Sequence, residues 1–299
     1  MIEVFAPAKL NLGLEVLRRR ADGYHEIETV FVPLRLFDRL VLERAPAGRG
    51  LALDAGGAEL PLDRSNLVVR ALERGAAELG VPLDLSVRLD KAIPIGAGLG
   101  GGSSDAAAAL LGLERLCGRE LPSELRGKLA LELGADVPFF LDPRPALGRG
   151  VGEQLEALPG IPEMHWVLVA FPFQISTAWA YTEAGRELTL PRDPTSIAAL
   201  LRPAGLLAPP RNDLEAVGVR RHPEIREAQR ALARAGALAT GMSGSGPTVF
   251  GRFEGERAAR RAAETVEVPA GARTIATSSP GSASADWTDG SFRWGVAKR

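Results

Sequence analysis

Apolar and polar positions alternate over residues 2–17 around Pro7, and again over 27–44. This is the period-two pattern of strands with one face in a core. The first part of the chain therefore reads as strand-rich, opening on two short strands or one bent strand. At 66 the period lengthens to that of a helix, which runs to 79 with Ser65 as its cap and Gly80 as its stop. A strand over 83–89 and a glycine-rich loop follow. An alanine- and leucine-rich helix then spans about 104–117, and a helix capped by Ser123 ends at Gly134. Past Leu141 the texture changes: a turn at 142–145, a second glycine cluster at 148–152, an apolar strand over 166–172, a proline-interrupted helix-prone region over 178–240, and a third glycine-rich loop at 241–246. The pattern divides the chain into a lobe over 1–150, a second over 151–278, and a Ser- and Gly-rich tail over 279–299 with no period and no assigned role.

Composition narrows the class. The 299 residues are 45% apolar and 24% charged, the profile of a globular protein long enough for two lobes. With 36 Lys and Arg against 37 Asp and Glu, the net charge of -1 gives no field to gather nucleic acid or coat an anionic membrane. The single cysteine, Cys117, rules out an internal disulfide framework and fits a reducing compartment. Charge and proline interrupt the apolar stretch that an N-terminal signal peptide would need, and no run is long enough for a bilayer. A cytoplasmic protein without nucleic-acid or membrane partners is expected.

The segment Pro94-Ile-Gly-Ala-Gly-Leu-Gly-Gly-Gly-Ser-Ser-Asp105 carries the most chemistry. Five glycines in seven residues let the backbone reach positive φ and approach a ligand closely. Successive N–H groups in such a turn form a concave anion site. The loop feeds a helix whose first turn offers unpaired N–H groups and the positive end of the dipole. Gly96, Gly98 and Gly101 also satisfy G-x-G-x-x-G, but the preceding segment 85–91 alternates and carries charge, unlike the doubly buried parallel strand of a dinucleotide fold. No Gly-Lys-Ser/Thr closes the loop as a Walker A motif requires. The loop reads as a phosphate cradle.

Phosphoryl transfer asks the protein for positioning, charge neutralisation and a group to orient the attacking hydroxyl. Asp136, in the turn Gly134-Ala-Asp-Val-Pro138, is either a turn former or a site carboxylate. Lys9, in Pro7-Ala-Lys-Leu-Asn-Leu12, is either an exposed strand position or a cation beside that carboxylate. Periodicity does not decide between these readings. The loop Gly241-Met-Ser-Gly-Ser-Gly246 lacks the spacing of a hydrolase nucleophile elbow. Three histidines and one cysteine leave no basis for a His/Cys metal cluster.

Taken together and in order, 7–12, 94–105, 134–140 and 241–246 resemble the GHMP kinases, the superfamily that includes galactokinase, homoserine kinase and mevalonate kinase. The run Arg19-Arg-Ala-Asp-Gly-Tyr-His25 resembles the branch whose acceptor alcohol carries a cytidine diphosphate; Gly148-Arg-Gly-Val-Gly-Glu153 and Arg211-Asn-Asp-Leu-Glu215 are similar to that branch too. The resemblance covers about residues 1–278. It implies an α+β fold of two lobes, an N-terminal ribosomal-protein-S5-like lobe that binds ATP and a ferredoxin-like C-terminal lobe, with the acceptor in the cleft between them.

It also implies roles. Asp136 takes or orients the proton of the acceptor hydroxyl, and Lys9 polarises both. Pro94, Ile95, Gly96, Ala97, Gly98, Leu99, Gly100, Gly101, Gly102, Ser103 and Ser104 wrap the ATP phosphates, with Asn66 and Lys91 on the adenine side. Tyr24 and Tyr181 sandwich the cytosine, His25 reads its polar edge, Asn11 lies near the reacting end, and Thr177 joins the acceptor site. Arg18–Arg20 either help hold the diphosphate or form a solvated turn. Magnesium accompanies ATP, held mainly by phosphate oxygens and water, with Ser103 or Ser104 as side-chain candidates. A monomer or weak homodimer is expected. A homoserine- or mevalonate-type acceptor, or a ligand-binding relative without activity, are the alternatives; Asp22-Gly-Tyr-His25 speaks against the first two, and the joint presence of Lys9 and Asp136 against the last.

Overall fold

Two long strands, β1 (Ile2–Arg19) and β2 (His25–Arg44), pair antiparallel along their whole length and form the spine of the molecule. The computed structural model describes residues 1–187, 197 and 211–282. On its other edge β2 pairs with β4 (Leu85–Asp90) through 39–44 and with β5 (Ala146–Arg149) through 29–31. β3 (Leu51–Asp54) lies parallel to β4, and β6 (Gln154–Ala157) antiparallel to β5. The start of the chain is one strand rather than two, bent by register shifts at Pro7/Ala8, Asn11/Gly13 and Val16/Arg18. Because β6 belongs to this sheet, the first lobe reaches Ala157, beyond the boundary expected at 150.

The helices α1 (Leu67–Leu79), α2 (Gly101–Cys117) and α3 (Ser123–Leu133) belong to this first lobe. α1 and α2 bury Leu72, Ala106, Leu110 and Leu113 with Val4, Leu42 and Val87 of the strands. Asn66, not Ser65, caps α1: its Oδ1 accepts from Val68 N–H at 2.9 Å, and Gly80 ends the helix at φ 62°. α2 begins three residues before the expected Ser104, so the last glycines of the loop form its first turn. Pro122, not Ser123, holds the N-cap of α3, with no side-chain cap bond.

The second sheet is antiparallel in the order β10 (Arg273–Ser279), β7 (Met164–Ala170), β9 (Val249–Phe253), β8 (Ala239–Met242). One face carries α4 (Thr177–Glu187), α5 (Glu215–Arg221), α6 (Glu224–Arg234) and α7 (Glu256–Thr265), packed on Val167, Val169, Val249 and Phe253. The rest of the helix-prone stretch, 188–210 apart from 197, lies outside the described residues. The other face meets the first sheet: Trp166, Leu168 and Phe250 pack with Ala8, Leu10, Val32 and Leu34. The start of the expected tail is built in, since Ser279 Oγ accepts from Trp166 Nε1 at 3.0 Å and Ser282 N–H donates to Ile161 O at 2.8 Å. Residues 283–299 lie outside the described residues.

This second contact explains where the sequence pattern breaks. From Ala6 to Val16 every residue of β1 is buried, because both of its faces are covered. Lys9 and Asn11 are thereby only 4% and 3% exposed, which requires partners for them. Among the described residues no helix is long and apolar enough to cross a membrane.

Candidate active site

A cavity of about 1250 Å³ opens where the two lobes meet, and every residue expected at the site lines it except Ser104. Ser104 is wholly buried within the first turn of α2.

The glycine loop is held by its carbonyls. Ala97 O accepts from Thr248 N–H at 3.3 Å, Gly98 O from Ser243 Oγ at 3.0 Å, and Leu99 O from Lys9 N–H at 2.9 Å. Among the described residues no backbone N–H from 95 to 103 donates to another segment of the chain, and α2 has no side-chain cap. These donors and the positive end of a 17-residue helix make the anion nest that the glycine pattern implies. Two glycines are required sterically. Gly98 sits at φ 76°, where a Cβ would come 2.4 Å from Ser243 O, and a Cβ on Gly100, at φ 72°, would come 2.7 Å from the Phe140 ring.

Lys9 Nζ lies 3.4 Å from Asp136 Oδ2 and donates to Asn11 Oδ1 at 2.5 Å, with the Phe31 ring 5.4 Å away. The Asn11 amide is oriented from behind: its Nδ2 donates to Thr29 Oγ1 at 2.8 Å, and that hydroxyl donates to Gly13 O at 2.6 Å. Asp136 stands in the turn after α3, fixed by the short helix Pro138–Leu141, whose Phe139 and Phe140 are buried. Its side chain keeps 34% of its surface exposed, against 5% for Lys9. A buried ammonium thus meets an accessible carboxylate, an arrangement able to bind a hydroxyl and take its proton.

Tyr24, His25 and Tyr181 line the far part of the cavity. Tyr24 is 64% exposed, and the stacking partner of Tyr181 is His25, at 5.5 Å and 20° between rings, rather than Tyr24. Burial, and then Arg19, hold the His25 pKa below the usual imidazole value, so the ring is neutral near pH 7 and offers one donor and one acceptor. Burial and then the Asp136 carboxylate push the Tyr181 phenol upward. Arg18 pairs with Glu26 at 2.5 Å and Arg20 with Asp22 at 2.9 Å, so both side chains are engaged in the hairpin turn. Thr177 Oγ1 and Ser245 Oγ lie 2.9 Å apart across the cavity wall.

The Asn66 amide is engaged at both ends, capping α1 and donating to Pro61 O at 2.8 Å. Lys91 Nζ donates to Asp38 and, at 2.7 Å, to Asp105 Oδ2, while Asp38 Oδ1 also accepts from Ala92 and Ile93 N–H. Burial alone would lower the Lys91 pKa, but the two carboxylates raise it above the usual value. Burial pushes Asp105 up to about 7, aided by Asp38 and opposed by Lys91.

Several residues that position the site carry no local sequence signal. Ser243 Oγ accepts from Asn11 N–H at 3.2 Å while donating to Gly98 O, which ties the third glycine-rich loop to β1 and to the first glycine-rich loop. The Gln174 side chain lies against Gly96, where a Cβ would come within 2.3 Å of it. Asp38, Asp105 and Thr29 act only through partners distant in sequence. Among the described residues no three His, Cys, Asp or Glu side chains group as a metal site.

Residues 66–142 match the GHMP kinases N terminal domain and 192–268 the GHMP kinases C terminal domain. This chain belongs to the GHMP kinases. The chain is 41% identical over 266 residues to the 4-diphosphocytidyl-2-C-methyl-D-erythritol kinase of Syntrophus aciditrophicus, covering 89% of this chain and 94% of that one. It is 43% identical over 267 residues to the enzyme of the same name from Pelotomaculum thermopropionicum, at 88% and 93% coverage. A crystal structure of 4-(cytidine 5'-diphospho)-2C-methyl-D-erythritol kinase superposes with a TM-score of 0.79 at 40% identity, over 93% of this chain and 99% of that one. A homoserine kinase from Cytophaga hutchinsonii, at TM-score 0.70 and 19% identity over 94% and 96% of the two chains, shares the fold.

Proposed function

We infer that this chain transfers the γ-phosphoryl group of ATP to the 2-hydroxyl of 4-diphosphocytidyl-2-C-methyl-D-erythritol, a step of the non-mevalonate route to isoprenoids. The observation that carries the reading is the 3.4 Å contact of Lys9 with Asp136 in the same cavity as the glycine nest. Asp136 accepts or orients the proton of the acceptor hydroxyl. Lys9, 3.4 Å from that carboxylate, stabilises the oxygen as it gains charge. The N–H groups of 95–103 and the N-terminus of α2 neutralise the transferred phosphoryl and its leaving group, in a cradle already ordered before reaction. Asn11, which fixes Lys9, keeps the ammonium aimed at the reacting end.

Tyr24, His25 and Tyr181 form the cytidine site. Base stacking is sequence-tolerant and strong, so specificity comes from the neutral His25 edge and the hydrogen bonds it makes to the base. Thr177, paired with Ser245, belongs to the acceptor wall. Asn66 and Lys91 serve the adenine side through their backbone and surroundings, since their polar side-chain atoms are engaged within the protein. A magnesium ion would be carried in by the nucleotide. Ser103, which lines the cavity as Ser104 does not, is the side chain that would reach it. When bound, the metal shields the β- and γ-phosphates. A monomer or weak homodimer is proposed, and the single cysteine and near-neutral charge fit a cytoplasmic enzyme.

Steady-state ATP turnover with the cytidyl alcohol, homoserine and mevalonate as acceptors tests this assignment. The cytidyl alcohol is expected to be preferred by kcat/KM; preference for either of the others overturns the assignment.

A further inference from the structure

Behind the active site, the segment 211–215 bridges the two lobes. Leu14 N–H donates to Arg211 O at 2.8 Å and Asp213 N–H to Leu14 O at 3.0 Å, so this segment of the C-terminal lobe adds itself to β1 as a short parallel bridge. Asp213 Oδ2 strengthens the join by accepting from Val16 N–H at 2.9 Å. Asn212, between them, points the other way. Its Nδ2 donates to Met242 O and to Gly244 O, both at 2.8 Å, and its Oδ1 accepts from Leu214 N–H at 2.9 Å. The side chain is 9% exposed and its amide donors and acceptor are all engaged. Glu215 adds a third hold, accepting from Met242 N–H at 3.1 Å.

The loop gripped in this way, 241–246, touches both the phosphate cradle and the reacting groups. Its Ser243 touches Asn11 N–H on one side and Gly98 O on the other. At Gly244 a Cβ would stand 3.0 Å from Asn11 Oδ1 and 3.5 Å from Lys9 Nζ. A displaced Gly244 carbonyl therefore moves the loop against Lys9 and the glycine nest together. Two donors on one planar amide, each aimed at a different carbonyl, fix both the height and the tilt of the loop.

We propose that Asn212 is a positioning residue for phosphoryl transfer: by holding Met242 O and Gly244 O from the β1 join, it sets the spacing between the phosphate cradle and the Lys9–Asp136 pair. The proposal rests on the kinase reading above. In-line transfer is sensitive to that spacing, since an error of about 1 Å costs on the order of a hundredfold in rate. Binding of either substrate alone is far less sensitive, so the loss belongs in kcat and not in KM.

The test uses the full-length enzyme. In Asn212→Asp the shape is kept, but an acceptor-only carboxylate faces two carbonyls. The expected result is a fall in kcat of about tenfold or more, with KM for ATP and for the cytidyl alcohol within about threefold of wild type. Asp213→Asn is the control, because it weakens the same join without touching the loop: its Tm falls while its kcat stays within about twofold. If Asn212→Asp does not fold, Asn212→Ser, which reaches at most one carbonyl, carries the same expectation with a smaller loss. A kcat within about twofold of wild type in whichever Asn212 variant folds, or an equal loss of kcat in Asp213→Asn, overturns the proposal. The wild-type assay separates the two layers: an inactive wild type overturns the kinase reading and this proposal with it, whereas an active wild type beside an unimpaired Asn212 variant overturns this proposal alone.

Discussion

Asn11 Nδ2 is tied to Thr29 Oγ1, and this single bond decides which end of the Asn11 amide faces Lys9. A lysine buried on a doubly covered strand needs an acceptor at close range. Asn11 Oδ1 provides one without neutralising the ammonium, so the charge stays available to Asp136 and to the acceptor oxygen. Thr29→Val keeps the shape and removes the hydroxyl. The expected outcome is a fall in kcat of about three- to tenfold with ATP affinity unchanged, the effect of losing one hydrogen bond of about 0.5–1.5 kcal/mol. Steady-state kinetics alongside nucleotide titration checks it; a wild-type kcat would remove Thr29 from this role.

Gly98→Ala tests whether the nest depends on backbone geometry. The new Cβ would meet Ser243 O at 2.4 Å on a residue at φ 76°, and backbone strain of this kind costs about 1–3 kcal/mol. ATP affinity is expected to weaken by about tenfold or more, read by calorimetric titration, together with a drop in Tm. Unchanged affinity would show that the loop does not hold the phosphates.

How far the sequence reaches depends on the range of the interaction. The glycine loop that opens α2 is legible because glycine density at a helix start is a local property. Lys9 and Asp136 are legible only as members of ordered motifs, since their meeting at 3.4 Å joins positions far apart in the chain. Ser243, which reaches Asn11 across 232 residues, and the Asp38–Lys91–Asp105 cluster leave no periodic trace. The alternation along β1 predicts a solvated face that the second sheet covers, and neither strand's pattern encodes that packing. The cap of α1 falls one residue later than expected because Asn66 has an extended backbone that aims its side-chain oxygen at Val68 N–H. The boundary near 150 misses β6, four exposed residues with too little apolar character to read as part of the first sheet.

The proposed cytidine site makes a pH prediction. The His25 pKa lies below its usual 6.5, so the ring stays neutral above that pH and gains a proton only below it. If the neutral edge reads the base, KM for the cytidyl alcohol is flat above pH 6.5 and rises as the pH falls below it, while KM for ATP does not follow. Tyr181→Ala is expected to raise the same KM by about tenfold, from the roughly 1–3 kcal/mol of one base–aromatic contact. An acceptor KM indifferent to both changes would move the base elsewhere in the cavity.

Asp105 makes a prediction about stability. Its carboxyl is pushed from 3.8 up to about 7 in the folded protein, so between those values the native state binds more protons than the unfolded chain. Its contribution is therefore largest at low pH and is lost as the pH rises from about 4 to about 7. Asp105→Asn is expected to flatten that part of the curve of Tm against pH. An unaltered slope would mean that the Asp105 carboxyl does not hold the proton.

The most direct measurement is single-turnover phosphoryl transfer from ATP to the cytidyl alcohol by wild type and Asp136→Asn, with the product's new phosphate located by phosphorus–carbon coupling. The account predicts a phosphate on the 2-hydroxyl in wild type, and in the variant a rate lower by about 10²–10⁴-fold with ATP affinity retained. Undiminished transfer by the variant, or a phosphate on another oxygen, would contradict it.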